Sequence, residues 1–318
     1  MRASVAVLAA LLLAVPAASA ATGPATHFTL FAQTDLPLGQ AYWTGREWLW
    51  DAENQGKIEA ADASGANVRP FAAFDQGGEE MRCAVPPNKL WPDGVYCHTP
   101  DNRVLRFNRD GSNMTQLAKV PAAANSDGAL AFDDVGRFGY ALLVATGGSG
   151  GSGGQVFAVR KDGRVQTIGS YPGPGGADEI AIAPAKFGTA GGWCLITVDN
   201  DPSSGMLVAI DPKGRVKTIA DNLGNSLNPI VVVRPPPASR PAGNPAAGLY
   251  LADTTSMQIW FAPASAFRDY AGTVIVGTEI ASDLWVITPN AAGGFDALQI
   301  QDDLPDQAWN FEGSFFVP

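Results

Sequence analysis

The stretch that decides the fold is Ala141–Tyr171, which reads ALLVATGGSGGSGGQVFAVRKDGRVQTIGSY. Apolar and polar residues alternate in Gln155–Arg160 and again in Arg164–Ile168, and this alternation is typical of half-buried β-strands. Asp162-Gly163 separates the two runs, and the glycine supplies the positive φ that a tight hairpin turn requires. Together with the apolar run at its start, the stretch predicts three consecutive strands.

The same unit recurs along the chain. Similar hairpins are predicted in Lys57–Phe74, Val104–Ala118 and Leu207–Ala220, and the four turn glycines lie 46, 52 and 51 residues apart. Four-stranded units that repeat at about 40 to 50 residues are typical of β-propeller blades. The chain also has 36 glycines, 24 prolines and almost no helical periodicity. We therefore predict an all-β fold, a six-bladed β-propeller.

Each blade is expected to begin with an inner strand that lines the central channel. Five candidate starts share a polar residue, then a small or bent position, then an apolar run. They are Gly39–Tyr42, Glu79–Met81, Asp127–Leu130, Asp178–Ile180 and Asn228–Ile230. Their spacing of 40, 48, 51 and 50 residues matches the spacing of the turn glycines.

Two arrangements fit the last part of the chain. Counting strands makes 273–279 the end of blade five and makes 283–289, 295–301 and 312–318 blade six, completed by His27–Gln33. Matching the start motif instead makes Glu312, rather than Asp283, the beginning of the last inner strand. We prefer the strand count, which closes the ring with the N-terminal strand and leaves no open sheet edge.

The first twenty residues are predicted to be a secretory signal peptide. Arg2 precedes the apolar run Val5–Val15, and Ala18-Ser19-Ala20 is a small-residue cleavage site. The apolar run is too short to span a membrane. We expect cleavage after Ala20, a single propeller domain over residues 21–318, and a secreted or periplasmic protein.

The charge of the chain limits its partners. The formal net charge is −10, and loss of the signal peptide removes one more arginine. A strongly acidic protein is a poor partner for nucleic acids or anionic membranes. We expect a monomer without a membrane span that binds a small-molecule, glycan or protein ligand at the channel mouth.

Two of the three cysteines lie in a predicted hairpin formed by residues 81–85 and 94–99. The register of this hairpin places Cys83 and Cys97 opposite each other, close enough for a disulfide. An oxidising compartment favours the bond, and two reduced cysteines packed as small apolar side chains are the alternative. Cys194 is expected to be buried on a strand.

The recurring pattern has three parts: a polar–glycine–apolar start, a strand like LYLAD, and a hairpin like VFAV-x-DG-x-V. This pattern resembles the six-bladed propellers of the SMP-30/gluconolactonase, strictosidine-synthase-like and NHL-repeat class, over roughly residues 27–318. In the lactonase-like members, acidic and carboxamide side chains at inner-strand starts hold a divalent cation at one channel mouth. The matching positions here are Glu79 or Glu80, Asp127, Asp178 or Glu179, and Asn228, with Asp283 or Glu312 depending on the arrangement. The chain departs from the family at Gly39-Gln40, where a glutamate-glycine-proline opening is usual.

These positions suggest three alternatives for the mouth. Ca²⁺ takes six to eight oxygen ligands, so Glu79, Asp127, Asp178, Glu179 and Asn228 are candidate ligands for Ca²⁺ or another divalent cation. Alternatively, the acids form an internally hydrogen-bonded, partly protonated cluster, because crowded carboxylates cannot all stay ionised and Arg82, the only nearby basic side chain, cannot balance them. Finally, these side chains could serve only to bond backbone N–H groups in turns.

The candidate catalytic residues are His98, Glu80 and Arg82. A histidine beside carboxylates can act as a general base near neutral pH, although a hairpin histidine that is only hydrogen-bonded at the surface is the alternative. The sequence has no nucleophile elbow, HExxH motif or phosphate-binding loop. Two functions therefore stay open: a metal-dependent hydrolase of lactones or esters, and a non-catalytic propeller that binds its ligand on one rim. A quinone-dependent sugar dehydrogenase is a third, disfavoured because the chain has only two histidines.

Overall fold

The computed structural model describes residues 23–75, 77, 80–122, 129–147, 153–173, 176–198, 205–224, 226–279, 283–304 and 310–318. Over these residues the chain forms six four-stranded antiparallel sheets arranged in a ring. The predicted all-β, six-bladed propeller is therefore confirmed. None of the helices in this part of the chain is long and apolar enough to cross a membrane.

The blades are numbered in order around the ring, and the strands of each are given from the channel outward. Blade 1 contains Leu38–Trp43, Trp48–Ala52, Lys57–Ala61 and Arg69–Ala73, and blade 2 contains Arg82–Ala84, Val95–His98, Arg103–Phe107 and Thr115–Lys119. Blade 3 contains Ala129–Phe132, Leu142–Thr146, Gly154–Val159 and Val165–Tyr171, and blade 4 contains Ala177–Ile182, Cys194–Val198, Met206–Ile210 and Val216–Ala220. Blade 5 contains Leu227–Val232, Val274–Thr278, Leu284–Pro289 and Phe295–Gln299, and blade 6 contains Phe311–Val317, Gly248–Asp253, Gln258–Pro263 and Thr29–Gln33. A short parallel pair, Ala25–Thr26 with Gln301–Asp302, and two 3₁₀ helices, Gly188–Ala190 and Ala264–Tyr270, complete the described elements.

The N-terminal strand closes the ring, as predicted. Thr29–Gln33 pairs antiparallel with Gln258–Pro263 as the outermost strand of blade 6. The strand also delivers Phe31 to the seam between blades 6 and 1, where its ring centroid lies 4.9 Å from that of Tyr250 and 5.4 Å from that of Trp48. These contacts pack the N-terminal strand against both blades at the seam.

The preferred assignment of strands to the last two blades is wrong. After its first strand in blade 5, the chain crosses to form Gly248–Asp253 and Gln258–Pro263 in blade 6, then returns to complete blade 5 with Val274–Thr278 and two further strands. The inner strand of blade 6 therefore begins at Phe311–Glu312, as the start motif indicated. Counting strands failed because it assumes that each blade is filled by consecutive strands, which is common but not obligatory.

The turn glycines behave as the repeat predicts. Gly65, Gly111, Gly163 and Gly214 have φ between 77° and 83°. Each donates its N–H to the carbonyl three residues earlier, and Gly293 in blade 5 makes the same turn with φ 80°. A left-handed residue at this point costs little only for glycine.

The cysteine pair is bonded. Cys83 and Cys97 are directly opposite in the ladder between the first two strands of blade 2, and a disulfide joins them. Cys194 is buried and free on the second strand of blade 4.

Replacing both bonded cysteines by alanine is expected to lower the unfolding free energy by about 3 kcal/mol, because the crosslink closes a loop of 14 residues in the unfolded chain. Urea unfolding without reductant measures the loss. Intact mass before and after reduction is the control, and an unchanged mass would contradict the bond.

Candidate functional site

The starts of the inner strands meet at one end of the channel. We call this end the polar mouth and define it by Gln40, Glu80, Arg82, Glu179, Asn228 and Glu312. Arg82 stands at its centre with only 1% of its surface exposed. Its Nη2 lies 2.9 Å from Glu80 Oε2 and 3.1 Å from Glu312 Oε2. The same nitrogen contacts the main-chain oxygen of Glu312 at 3.1 Å and Asn228 Oδ1 at 3.3 Å. One guanidinium therefore joins blades 2, 5 and 6.

Glu312 is the most buried carboxylate that contacts Arg82. Its Oε2 also accepts a hydrogen bond from Asn228 Nδ2, whereas its Oε1 has no hydrogen-bond partner among the described residues. Burial, followed by the charge of Glu80, raises the pKa of Glu312, and Arg82 opposes the rise. The charge of Glu279 raises it further. The mouth thus keeps an excess of acidic groups around its guanidinium.

The side chains of Glu179 in blade 4 and Gln40 in blade 1 meet across the channel. Glu179 Oε1 accepts from Gln40 Nε2 at 3.1 Å, and Glu179 Oε2 accepts from the backbone N–H of Ile230 at 2.6 Å. Gln40 Oε1 accepts in turn from the N–H of Cys83 at 3.0 Å. Burial raises the pKa of Glu179 to about 8, with Arg82 acting in the opposite direction. Glu179 is therefore largely protonated at neutral pH.

Asp51 was not among the predicted site residues. It ends the second strand of blade 1, is 1% exposed, and has its pKa raised to about 7 by burial, which Arg82 partly offsets. A Cβ added at Gly39 would lie 2.8 Å from Asp51 Oδ1 and 3.4 Å from Arg82 Nη1. The glycine therefore leaves room for the carboxylate and the guanidinium to approach. The sequence signal was present, since Asp51 occupies the same place in its strand as His98 does in blade 2.

His98 joins two blades. It is completely buried, and its Nδ1 accepts a hydrogen bond from the N–H of Ala129 in blade 3 at 3.2 Å. Burial lowers its pKa to about 4, so the ring is neutral with its proton on Nε2, which has no partner in the described part of the chain. His98 is opposite Arg82 in the strand register. Its catalytic role stays a prediction, and this geometry favours a structural one.

A second strand end makes a similar link. Thr197 Oγ1 lies 2.9 Å from the carbonyl oxygen of Asn228 in the next blade and accepts from the N–H of Glu179 at 3.0 Å. Polar side chains at second-strand ends therefore contact the following inner strand in blades 2 and 4. These contacts fix the positions of the inner-strand starts.

Three of the predicted metal ligands, Asp178, Glu179 and Asn228, lie within the described residues. Glu79 and Asp127 lie outside the described residues, and Asp178 is buried next to Glu179 in the chain. The oxygens of Glu179 accept hydrogen bonds from N–H groups, and Asn228 contacts Arg82 and Glu312. Among these residues the hydrogen bonds and the Arg82 guanidinium favour the internally hydrogen-bonded alternative, and the cation at the predicted ligands stays a prediction.

A different set of carboxylates fits a cation better. Glu53, Glu80 and Glu312 each offer one oxygen, and these atoms lie within 4.8 Å of one another. Hard divalent cations prefer such carboxylate oxygens. Glu312 Oε1 is buried and lacks a partner within the described ranges, whereas the side chain of Glu80 is 13% exposed and gives the group access to solvent. Glu53 and Glu312 were not in the predicted ligand set, because Glu53 follows a second strand and Glu312 depended on the arrangement of the last blade.

The raised pKa values of Asp51 and Glu179 make the stability of the protein depend on pH. In the folded protein Asp51 and Glu179 hold their protons above the pKa of an ordinary carboxyl, so raising the pH favours the unfolded chain. Neutral His98 has the opposite effect, but only below its ordinary value of 6.5. Between pH 6.5 and about 8 we expect the unfolding free energy to fall, by about 1.4 kcal/mol per pH unit for each proton.

Urea unfolding across this pH range measures the slope. Glu179→Gln should reduce it, because the variant has no proton to lose at that position. Glu47→Gln, at a glutamate in a surface ion pair away from the mouth, should leave it unchanged. A stability that rises across this range would contradict the burial of neutral carboxyls.

Solved structures with a similar fold include the nidogen/laminin complex, at 10% identity over 87% of this chain and 83% of that chain, with a TM-score of 0.51. A protein provisionally assigned as a gluconolactonase matches at 11% identity over 92% and 86%, with a TM-score of 0.49. A protein provisionally assigned as a 6-phosphogluconolactonase from Bacteroides uniformis matches at 14% identity over 87% and 73%, with a TM-score of 0.48. No protein-family model and no curated protein matches the sequence. At these identities the likeness concerns the propeller fold alone.

Proposed function

We propose that the protein is a cation-dependent hydrolase of lactones or related esters, with its site at the polar mouth. The observation that carries the proposal is the group of carboxylate oxygens from Glu53, Glu80 and Glu312, within 4.8 Å of one another beside the buried guanidinium of Arg82. A bound divalent cation would polarise a carbonyl oxygen and lower the pKa of a bound water.

Arg82 in the polar mouth and Asp51 near it suit the remaining steps of ester hydrolysis. Arg82 is held in place by Asn228 and Glu312, and a fixed positive charge favours the negative charge that develops on the carbonyl oxygen. Burial raises the pKa of Asp51 to about 7, which is close to neutral pH. A carboxylate with such a pKa is suited to accept a proton and return it.

A secreted or periplasmic location is part of the proposal. The disulfide between Cys83 and Cys97 supports it, because such bonds persist in oxidising compartments. The proposed signal peptide, residues 1–20, lies outside the described residues. N-terminal sequencing of the exported protein is expected to begin at Ala21, and sequencing that begins at Met1 would contradict this location.

A non-catalytic binding protein is the second candidate function. It is favoured by the hydrogen bonds of Arg82, which already satisfy Glu312 Oε2 and Asn228 Oδ1 without a metal, and by the neutral state of His98. The acid excess of the mouth would then bind a cationic group of a small molecule, glycan or protein.

Thermal melting with and without CaCl₂, MnCl₂ or a chelator tests the cation site, and a panel of lactones and esters tests hydrolysis. A cation at 100 times its dissociation constant should add about 2.7 kcal/mol to the stability. Glu312→Gln should abolish this gain, whereas Glu47→Gln should keep it. A cation response without hydrolysis would favour the binding protein, and the absence of both would overturn the hydrolase.

A further inference from the structure

The channel has a second opening at the end opposite the polar mouth. There the later residues of the inner strands surround a cavity of about 320 Å³, with walls that include Leu130, Phe132, Ile180, Ile182 and Phe316. We call this cavity the apolar funnel. Its volume lies at the lower end of the range for small-molecule sites, which are mostly apolar with a few placed polar groups.

The inner end of the funnel is polar. Gln40, Glu179 and Ser314 belong to its lining. Ser314 is 6% exposed, and its hydroxyl has no hydrogen-bond partner in the part of the chain that the structure describes. Leaving a buried hydroxyl unpaired is unfavourable. A ligand that bonds to this hydroxyl would remove that penalty, so the unpaired group indicates where a polar atom of a ligand would lie.

The groups around the inner end favour an uncharged ligand. Both oxygens of Glu179 already accept hydrogen bonds, from Gln40 Nε2 and from the N–H of Ile230, and Arg82 is not among the described residues that line the funnel. A carboxylate ligand would be desolvated beside this acid without reaching the guanidinium. An ammonium ligand would likewise find no carboxylate at the funnel's inner end, among the described lining residues, whose oxygens lack a hydrogen-bond donor.

The two charged side chains at the rim of the funnel, Arg234 and Asp134, form an ion pair with each other. Arg234 follows the inner strand of blade 5 and Asp134 follows that of blade 3, and their ion pair measures 2.8 Å between Nη2 and Oδ2. The pair therefore bridges blades 3 and 5 at the opening. It supplies a polar edge to an apolar wall, as expected for a site that admits a small molecule from water.

We propose that the apolar funnel is a second ligand site, which binds a small apolar molecule with one uncharged hydroxyl or carbonyl group placed against Ser314. This site is separate from the proposed cation site, because the described lining residues of the funnel do not include Glu53, Glu80 or Glu312.

Calorimetric titration of the full-length secreted protein with 1-octanol, octanoate and octylammonium tests the proposal. We expect saturable binding of 1-octanol and at least tenfold weaker binding of the two charged probes. Ser314→Ala should weaken 1-octanol at least tenfold, whereas Ser112→Ala, on an exposed turn of blade 2, should not. Ile182→Trp, which fills the funnel from its wall, should remove binding.

The outcomes are distinct. Failure of the wild-type protein to bind 1-octanol would overturn the site, as would equal binding of octanoate or an unchanged affinity in Ser314→Ala. Ser314→Ala removes an unpaired hydroxyl and is expected to fold normally, which its melting temperature confirms. Its response to CaCl₂ should equal that of the wild type, so failure of the funnel and failure of the cation site can be told apart.

Discussion

Arg82→Gln is expected to lower the unfolding free energy by about 3–5 kcal/mol, the usual cost of removing one partner of a buried ion pair. The substitution leaves Glu312, 1% exposed, without the guanidinium that balances it, and it removes the contact that joins blades 2, 5 and 6. The loss should grow as the pH rises, because the variant tolerates Glu312 only in its protonated form. Urea unfolding at two pH values measures both effects.

Two further variants separate the ion pair from a general loss of charge. Arg69→Gln breaks the exposed ion pair with Glu47 and should cost no more than about 1 kcal/mol. The double variant Arg82→Gln/Glu312→Gln should recover part of the stability, because it no longer buries an unpaired carboxylate. If Arg82→Gln cost no more than Arg69→Gln, the central role of Arg82 would be wrong.

Gly111→Ala is expected to cost about 1–3 kcal/mol more than Gly293→Ala. Both glycines occupy the same turn in their blades, with φ of 79° and 80°, so an alanine suffers the same backbone strain at either site. At Gly111 the new Cβ would lie 1.9 Å from the carbonyl oxygen of Phe71 in the preceding blade, whereas at Gly293 nothing lies within 4 Å. The difference between the two melting curves therefore measures contact between blades.

The same contact occurs in two other blades. A Cβ at Gly163 would lie 2.5 Å from the carbonyl oxygen of Leu117, and one at Gly214 would lie 2.6 Å from that of Ile168. Alanine at either position should therefore lower the stability about as much as Gly111→Ala does, and more than Gly293→Ala does. If alanine at Gly111 and at Gly293 lowered the stability equally, only the positive φ of the turn would require glycine, and the predicted effect of the contact between blades would be wrong.

The fold could be predicted because its evidence is local and repeated. The hairpin around Gly163 recurs with a nearly constant spacing. Each copy predicts its strands and its turn from local sequence alone, whichever strands they pair with. The exchange between blades 5 and 6 could not be predicted in this way. GLYLAD at 248–253 reads as a strand wherever it pairs, and only the backbone hydrogen bonds reveal that its neighbours are 258–263 and 311–317.

The site was predictable only at the starts of strands. Arg82, Glu179 and Asn228 belong to the start motif, and the structure brings them to one end of the channel. Asp51 and Glu53 come from the end of a second strand, which the start motif does not describe. Which acids contact Arg82 depended on the position of Glu312, and that followed from the exchange of strands, which the pattern could not reveal.

The exchange of strands between blades 5 and 6 has a consequence for how the protein folds. Blade 6 draws its four strands from 29–33, 248–263 and 311–317, so a ribosome must release almost the whole chain before this blade can exist. In the chain, two strands of blade 6 lie between the first and second strands of blade 5. Neither blade can therefore unfold without disturbing the other. We expect these two blades to gain protection from amide hydrogen exchange together, as one cooperative unit, and later than blades 1 to 4.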